Sequence, residues 1–233
     1  MQKRLVRKLD LERLLSQVEP NPTPKPDLEQ YTIPSDVAAD MLYLAAYSNN
    51  DVVGKTVLEL GCGTGILTLG AAFLGAKSVV GIDVDKTAIK KAFENSVRTD
   101  LKEKVQWIAA DIEVVRGNFD TVLQNPPYGV QKRGADLKFL QKALEIGKVV
   151  YSFHKSLHTG RAFVKSIKAN PNGVIPVASA PFLGNFIERY GGRIKAVYAM
   201  VMTVPHMFGF HTKAKHEFVV DLYVIEVQKT HVE

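Results

Sequence analysis

Residues 56–66 read Thr-Val-Leu-Glu-Leu-Gly-Cys-Gly-Thr-Gly-Ile, a five-residue apolar run that passes into glycines at every second position. Ile66–Leu74 then carries a helical pattern. Alternate glycines let a backbone turn sharply and approach a ligand closely. A strand, a glycine loop and a helix in that order put the ligand beside a helix N-terminus. The dinucleotide fingerprint needs a third glycine where Ile66 stands, so this loop does not match it. It also lacks the Lys-Ser/Thr pair of a nucleoside-triphosphate loop.

Working outward, strand and helix patterns alternate. Val79–Val84, Lys104–Ala109, Phe119–Asn125 and Val149–Phe153 read as strands. Lys86–Arg98 and Asp136–Gly147 read as helices. Near-continuous apolar strands separated by helices predict a parallel sheet covered on both faces. Past residue 155 helices are expected around Thr159–Ala169 and Pro181–Tyr190, and the longer stretch Asn170–Gly192 has no assigned role. Two β-rich runs, Ile194–Val204 and Glu217–Val227, predict an antiparallel pair. Upstream, residues 4–18 predict a basic amphipathic helix, and Pro20, Pro22, Pro24, Pro26 and Pro34 make 19–34 an extended linker. Ser35 and Asp36 are N-cap candidates for a helix over Val37–Tyr47. The expected organisation is an attachment, 1–34, and one α/β domain, 35–233.

The chain has 233 residues, 46% apolar and 23% charged, which suits one globular core and excludes disorder over most of it. Thirty Lys and Arg against 24 Asp and Glu leave a formal charge of +6, which favours an anionic partner, nucleic acid before membrane. Cys62 is the single cysteine, so no internal disulfide and no cysteine-based zinc site can form. The start, MQKRLVRKLD, has no apolar core, and no 18-residue apolar run exists, so a soluble cytoplasmic protein is expected. His206, His211 and His216 lack metal-ligand spacing, and no metal is expected.

Two acids follow strands at the loop's side of the sheet. Asp83 ends strand 2, where a carboxylate can accept both hydroxyls of a ribose. Asp111 follows strand 3, where it can accept from an adenine amino group while a neighbouring N–H bonds the ring. Each alone could be a turn or N-cap residue. With the glycine loop they form the pattern of S-adenosylmethionine-dependent methyltransferases. Strand 4 ends in Asn125-Pro126-Pro127-Tyr128. A planar amino nitrogen is a poor nucleophile because its lone pair is delocalised. The Asn125 side-chain oxygen and the Pro126 carbonyl can accept its two hydrogens and localise that pair. Prolines fix the backbone, and Tyr128 offers a face on which a flipped base can stack. The bland alternative is a rigid turn.

LELGCGTGILTLG, GIDVD, AADI and NPPYG resemble class I methyltransferases that modify planar amino groups. LEQY at 28–31, YSFHKS at 151–156 and FHTKAKHEFVVDLYVIE at 210–226 resemble the methyltransferase-like-five family of RNA adenine-N6 methyltransferases, which act on small-subunit ribosomal RNA. The resemblance implies a Rossmann-like, mostly parallel seven-stranded sheet with an antiparallel C-terminal pair. It implies S-adenosyl-L-methionine as cofactor, with Gln30, Tyr31 and Thr32 closing over it. Gly61, Gly63, Thr64, Gly65 and Ile66 would line its methionine and ribose part. Asp83 would hold the ribose, Asp111 and Ile112 the adenine, and Asn125 would border both cofactor and base. Familiar members carry Phe where this chain has Tyr128.

Lys132, Arg133, Lys138 and Lys142 follow the Asn-Pro-Pro-Tyr motif, and Lys213 and Lys215 lie in the late loop. They are expected to ring the same rim, interleaved with Tyr128, Phe208 and Phe210. Solvated charge is the ordinary reading, and an RNA path, with Lys132, Arg133, Lys213 and Lys215 as contacts, is the functional one. Cys62 reads as packing, and His154 as a structural histidine or an RNA or cofactor contact. Strand 3 is expected at a sheet edge. Its segment Val105–Ala110 carries no charge or proline, so it could accept a strand from another chain. The family resemblance implies a small zinc-binding activator protein there, whereas Trp107 could instead pack under flanking helices. Protein glutamine-N5 methylation, DNA adenine methylation and non-catalytic cofactor binding in ribosome assembly are the competing functions.

Overall fold

The computed structural model describes residues 5–129, 131–170, 173–205 and 215–228. In chain order the elements are α1 (Lys8–Leu15), α2 (Ser35–Tyr43), β1 (Thr56–Leu60), α3 (Ile66–Phe73), β2 (Ser78–Asp83), α4 (Lys86–Arg98), β3 (Val105–Ala109), β4 (Phe119–Gln124), α5 (Ala135–Ile146), β5 (Gly147–Lys155), α6 (Arg161–Ala169), β6 (Val174–Pro176), α7 (Pro181–Arg189), β7 (Gly192–Pro205) and β8 (Lys215–Val227). They form one sheet in the order β3-β2-β1-β4-β5-β8-β7-β6. β3, β2, β1, β4 and β5 are parallel. β8 inserts antiparallel between β5 and β7.

The fold class is the one expected, with one correction to the strand count. The sheet has eight strands rather than seven. The added strand, β6, comes from the Asn170–Gly192 stretch and pairs antiparallel with β7 from Val174 to Pro176. It covers what would be a free edge, and it is kept short by Pro176, which has no N–H to donate.

Alternation along the strands sorts the core. Val57, Leu123, Tyr151 and Leu222 bury one face beneath α1, α2 and α3. Leu58, Val122, Val150 and Tyr223 bury the other beneath α5 and α7. α1 contributes Leu11, Leu14 and Leu15, all buried, against α2 and α3. Burial of this kind is worth about 1.5–3 kcal/mol per large aliphatic side chain.

The N-terminal helix is shorter than the periodicity predicts. Arg7 is extended, and the Val6 N–H donates to the Tyr47 hydroxyl at 3.0 Å, which holds the chain straight before α1. Pro34, not Ser35 or Asp36, takes the N-cap position of α2. That helix ends at Tyr43 and continues as one π-helical turn, Leu44–Ser48. Among the described residues no helix is long and apolar enough to cross a membrane.

Candidate active site

β1, β2, β3 and β4 end on one edge of the sheet, and β1 pairs with β2 on one side and β4 on the other. Chain order therefore reverses at β1, which opens a crevice beyond the strand ends. A cavity of about 470 Å³ lies there. Gly61, Gly63 and Gly65 turn the chain with φ of 67°, 52° and 88°, the left-handed region that glycine tolerates. Two of them also admit aromatic rings. A Cβ on Gly61 would lie 2.8 Å from Cε1 of Phe139, and one on Gly65 would meet the Trp107 ring. Gly61, Gly63, Thr64 and Ile66 line the cavity. Gly65 does not; it is there for the turn into α3 and for Trp107.

The acids fix the loop ends. Asp83 accepts the Gly63 N–H at 2.8 Å and the Asp85 N–H at 2.8 Å, tying the β1 loop to the end of β2. Burial pushes its carboxyl up, against those two hydrogen bonds. Asp111 caps the turn after β3 by accepting the Glu113 N–H at 2.9 Å. Asp83, Asp111 and Ile112 all border the cavity, so both acids do structural capping and face the crevice. Glu59, which no sequence motif singles out, also borders it. It accepts the Thr68 N–H at 2.7 Å and the Thr68 hydroxyl at 2.5 Å, joining β1 to the first turn of α3. Burial raises its pKa to about 8. Cys62 is buried, and burial with the nearby Glu59 and Asp83 raises its thiol pKa well above the usual value, which fits packing.

Residues 21–33 cross the crevice, and Gln30, Tyr31 and Thr32 line it. The Gln30 amide donates to Asp85 at 2.9 Å and accepts from Asn21 at 3.0 Å and from the Lys25 N–H at 2.8 Å. Glu29, in the left-handed region at φ 49°, sends its side chain the other way. One carboxylate oxygen accepts the Tyr128 N–H and the other the Gln131 N–H, both at 2.7 Å. Its LEQY context was visible in the sequence, but only geometry shows that it holds the loop after β4.

In that loop Asn125 and Pro127 border the cavity, while Pro126 is buried and neither it nor Tyr128 lines the cavity. The Tyr128 hydroxyl donates to Asn125 Oδ1 at 2.8 Å. Burial pushes the phenol pKa up, so it stays a donor. Its ring meets Phe218 edge-on at 6.1 Å. Beneath the loop, buried Gln124 donates to Ser152 Oγ at 2.8 Å, and Ser152 Oγ lies 2.9 Å from His154 Nε2. Burial lowers the His154 pKa to about 4, so the ring is neutral and structural.

Lys132 borders the cavity, and Arg133 is exposed next to it in the chain. Lys215 begins β8, whereas Lys213, Phe208 and Phe210 lie outside the described residues. β3 is the terminal strand of the sheet, with Ile108 43% exposed. The Trp107 ring packs over Gly65 and Gly81, and its N–H reaches Ser96 Oγ at 3.5 Å. Among the described residues no three His, Cys, Asp or Glu side chains group as a metal site.

Comparison with known proteins adds an independent line. Residues 40–126 match the ribosomal protein L11 methyltransferase (PrmA) family. The chain is 35% identical to an uncharacterized protein of Methanocaldococcus jannaschii, over 95% of each. It is 38% identical to the rRNA N6-adenosine-methyltransferase Mettl5 of Drosophila melanogaster, over 63% of this chain and 71% of that one. A crystal structure of a candidate RNA methyltransferase from Pyrococcus horikoshii superposes with a TM-score of 0.79 at 34% identity, over 96% of this chain and 98% of that one.

The buried Glu59 generates a test. Its pKa of about 8 lies above the unfolded value, so the native state holds the extra proton between roughly pH 4.5 and 8. Its contribution to stability is full below pH 4.5 and is lost as pH rises through 8. Glu59→Gln keeps the acceptor and has no charge to bury. In urea titrations at pH 5, 7 and 8.5 the variant gains on the wild type as pH rises; parallel curves would mean that Glu59 is charged in the native state.

Proposed function

The chain belongs to the methyltransferase-like-five family, and on that premise we propose that it methylates the N6 amino group of adenine in structured RNA, with small-subunit ribosomal RNA as substrate. The observation that carries this reading is the placement of Asn125, at the end of β4, on the same cavity as Asp83 and Asp111. Bound S-adenosyl-L-methionine supplies a methyl group activated by its sulfonium. The residues present fit such a cofactor. Each Asp83 oxygen spends one lone pair on a backbone N–H, which leaves acceptor capacity for two ribose hydroxyls. Asp111 and Ile112 border the cavity where an adenine would be recognised, and Gln30, Tyr31 and Thr32 exclude water from above.

Asn125 Oδ1 and the Pro126 carbonyl accept the two hydrogens of the target amine. Its lone pair then leaves conjugation and would form the new N–C bond as the methyl's bond to sulfur breaks and that pair stays on sulfur, and the surplus proton passes to solvent. The Tyr128 hydroxyl takes one lone pair of Asn125 Oδ1 and leaves the second for the amine, fixing which way the amide faces. Alignment and proximity are the main catalytic terms. Glutamine-N5 transfer to protein would use the same acceptors. Against it, the match to the protein-methylating family covers only residues 40–126, whereas the RNA-methylating relative matches over 63% of the chain. A free buried thiol and an RNA substrate fit the cytoplasm. We further propose that β3, terminal in the sheet, pairs through the segment Val105–Ala110 with a small zinc-binding activator protein.

Four outcomes check these assignments. Asn125→Ala leaves S-adenosyl-L-methionine affinity nearly intact in calorimetry and lowers single-turnover rate by about 10²–10³-fold, the usual loss for one preorganised polar group. Asp83→Ala does the reverse, weakening cofactor binding by about 2–4 kcal/mol; unchanged affinity would remove Asp83 from the site. Neutralising Lys132 and Arg133 together lowers the log–log salt slope of RNA binding by about 0.7 for every phosphate that is no longer neutralised, and an unaltered slope would put the RNA path elsewhere. The amides of Val105–Ala109 exchange more slowly once the activator is bound, and full protection in the isolated chain would refute the strand-pairing interface.

A further inference from the structure

Glu29 borders the cavity, yet it is only 7% exposed and both of its oxygens are already occupied. Its partners are the backbone N–H groups of Tyr128 and Gln131, at 2.7 Å each. Both amides follow the two prolines in the chain, and neither residue is part of a helix or strand. A single carboxylate therefore fixes the backbone that carries the Tyr128 ring and its hydroxyl, and through that hydroxyl the Asn125 amide.

Glu29 is also part of the segment that roofs the cavity. Leu28, Tyr31 and Ile33, on either side of it, line the cavity. The next residue, Gln30, pins the same segment to Asp85 beyond the end of β2. The tight turn Pro26–Leu28 ends at Glu29 with φ 49°, and this left-handed step lets consecutive side chains reach opposite walls of the crevice. Residues 28–33 thus join the cavity to the peptide that holds the Asn125–Tyr128 loop.

We propose that Glu29 is a positioning residue that makes seating of the cofactor roof the condition for an ordered Asn125–Tyr128 loop. Occupancy of the cavity and readiness for the target adenine are thereby one event. Cofactor and RNA consequently bind with positive coupling, because each stabilises the same closed arrangement. This rests on the methyl-transfer reading, since the loop needs ordering for an incoming amine.

The test uses the full chain and S-adenosylhomocysteine as probe. Amide exchange at Tyr128 and Gln131, followed residue by residue by NMR, slows at least tenfold when the probe saturates the wild-type chain. In Glu29→Ala the two amides exchange fast with or without it. Glu29→Gln, which keeps one acceptor oxygen, protects one amide and not both. Gln30→Ala weakens probe affinity, but at saturation its two amides are protected as in the wild type, which separates roof binding from loop ordering. Single-turnover rate at saturating cofactor falls at least tenfold more in Glu29→Ala than in Gln30→Ala. Wild-type amides indifferent to the probe, or protected equally in Glu29→Ala, would overturn the proposal. If Glu29→Ala does not fold, the one-amide signature of Glu29→Gln and the wild-type response decide it. A wild-type chain that shows the coupled protection but methylates no RNA would refute the methyl-transfer reading and leave the clamp standing.

Discussion

The Asp83 carboxylate, held between the Gly63 and Asp85 N–H groups, is the constraint on which the rest of the site depends. A carboxyl group that is 7% exposed must have its lone pairs satisfied. Here both donors are backbone, so satisfying the acid also fixes where the β1 loop and the β2 turn end. With those ends fixed, Gly61 and Gly65 have to make room for Phe139 from α5 and Trp107 from β3. The glycine loop is thus clamped by rings from both sides.

The polar interior beneath the chemistry loop follows the same logic on a smaller scale. Gln124 is the last residue of β4, and Asn125 is the next in the chain. Its side chain cannot reach water, so it bonds to Ser152, which in turn meets the neutral His154 ring. The ring also packs edge-on against Tyr223 of β8 at 5.3 Å. This chain runs across three neighbouring strands and keeps β4 from sliding against β5. It also gives YSFHKS a physical reason: Ser152 and His154 sit two apart and share one face of β5. From above, Glu29 anchors the far end of the same loop. Asn125 to Tyr128 is therefore bracketed by fixed points.

Much of this was legible in the sequence. β1 and α4 have the bounds that the apolar run and the 3.6-residue pattern predict, and the other parallel strands begin and end within two residues of expectation or extend beyond it. Strands buried on both faces leave an unbroken apolar record, which is why they read so clearly. Gly61, Gly63, Thr64, Ile66, Asp83, Asp111 and Asn125 border one cavity, and Gly65 does not. What was not legible depends on contacts distant in the chain. Phe139 behind Gly61, Trp107 behind Gly65 and Glu29 on the Tyr128 amide are 78, 42 and 99 residues from their partners, and no local pattern encodes them. β6 escaped because three residues ending in proline carry no alternation. Ser35 was misplaced as a cap because Pro34 already supplies the extended residue before α2.

On the reading proposed above, Asn125, which borders the cavity, directs a methyl group to the exocyclic nitrogen of adenine in RNA. The most direct measurement is to incubate the chain with S-adenosyl-L-methionine carrying a trideuteromethyl group, small-subunit ribosomal RNA and total ribosomal protein together. The RNA is then digested to nucleosides and the protein to amino acids, and each is examined by mass spectrometry. The account predicts deuterated N6-methyladenosine, absent when Asn125→Ala replaces the wild type. Label in glutamine, in another nucleoside, or in N6-methyladenosine at equal yield with Asn125→Ala would contradict it.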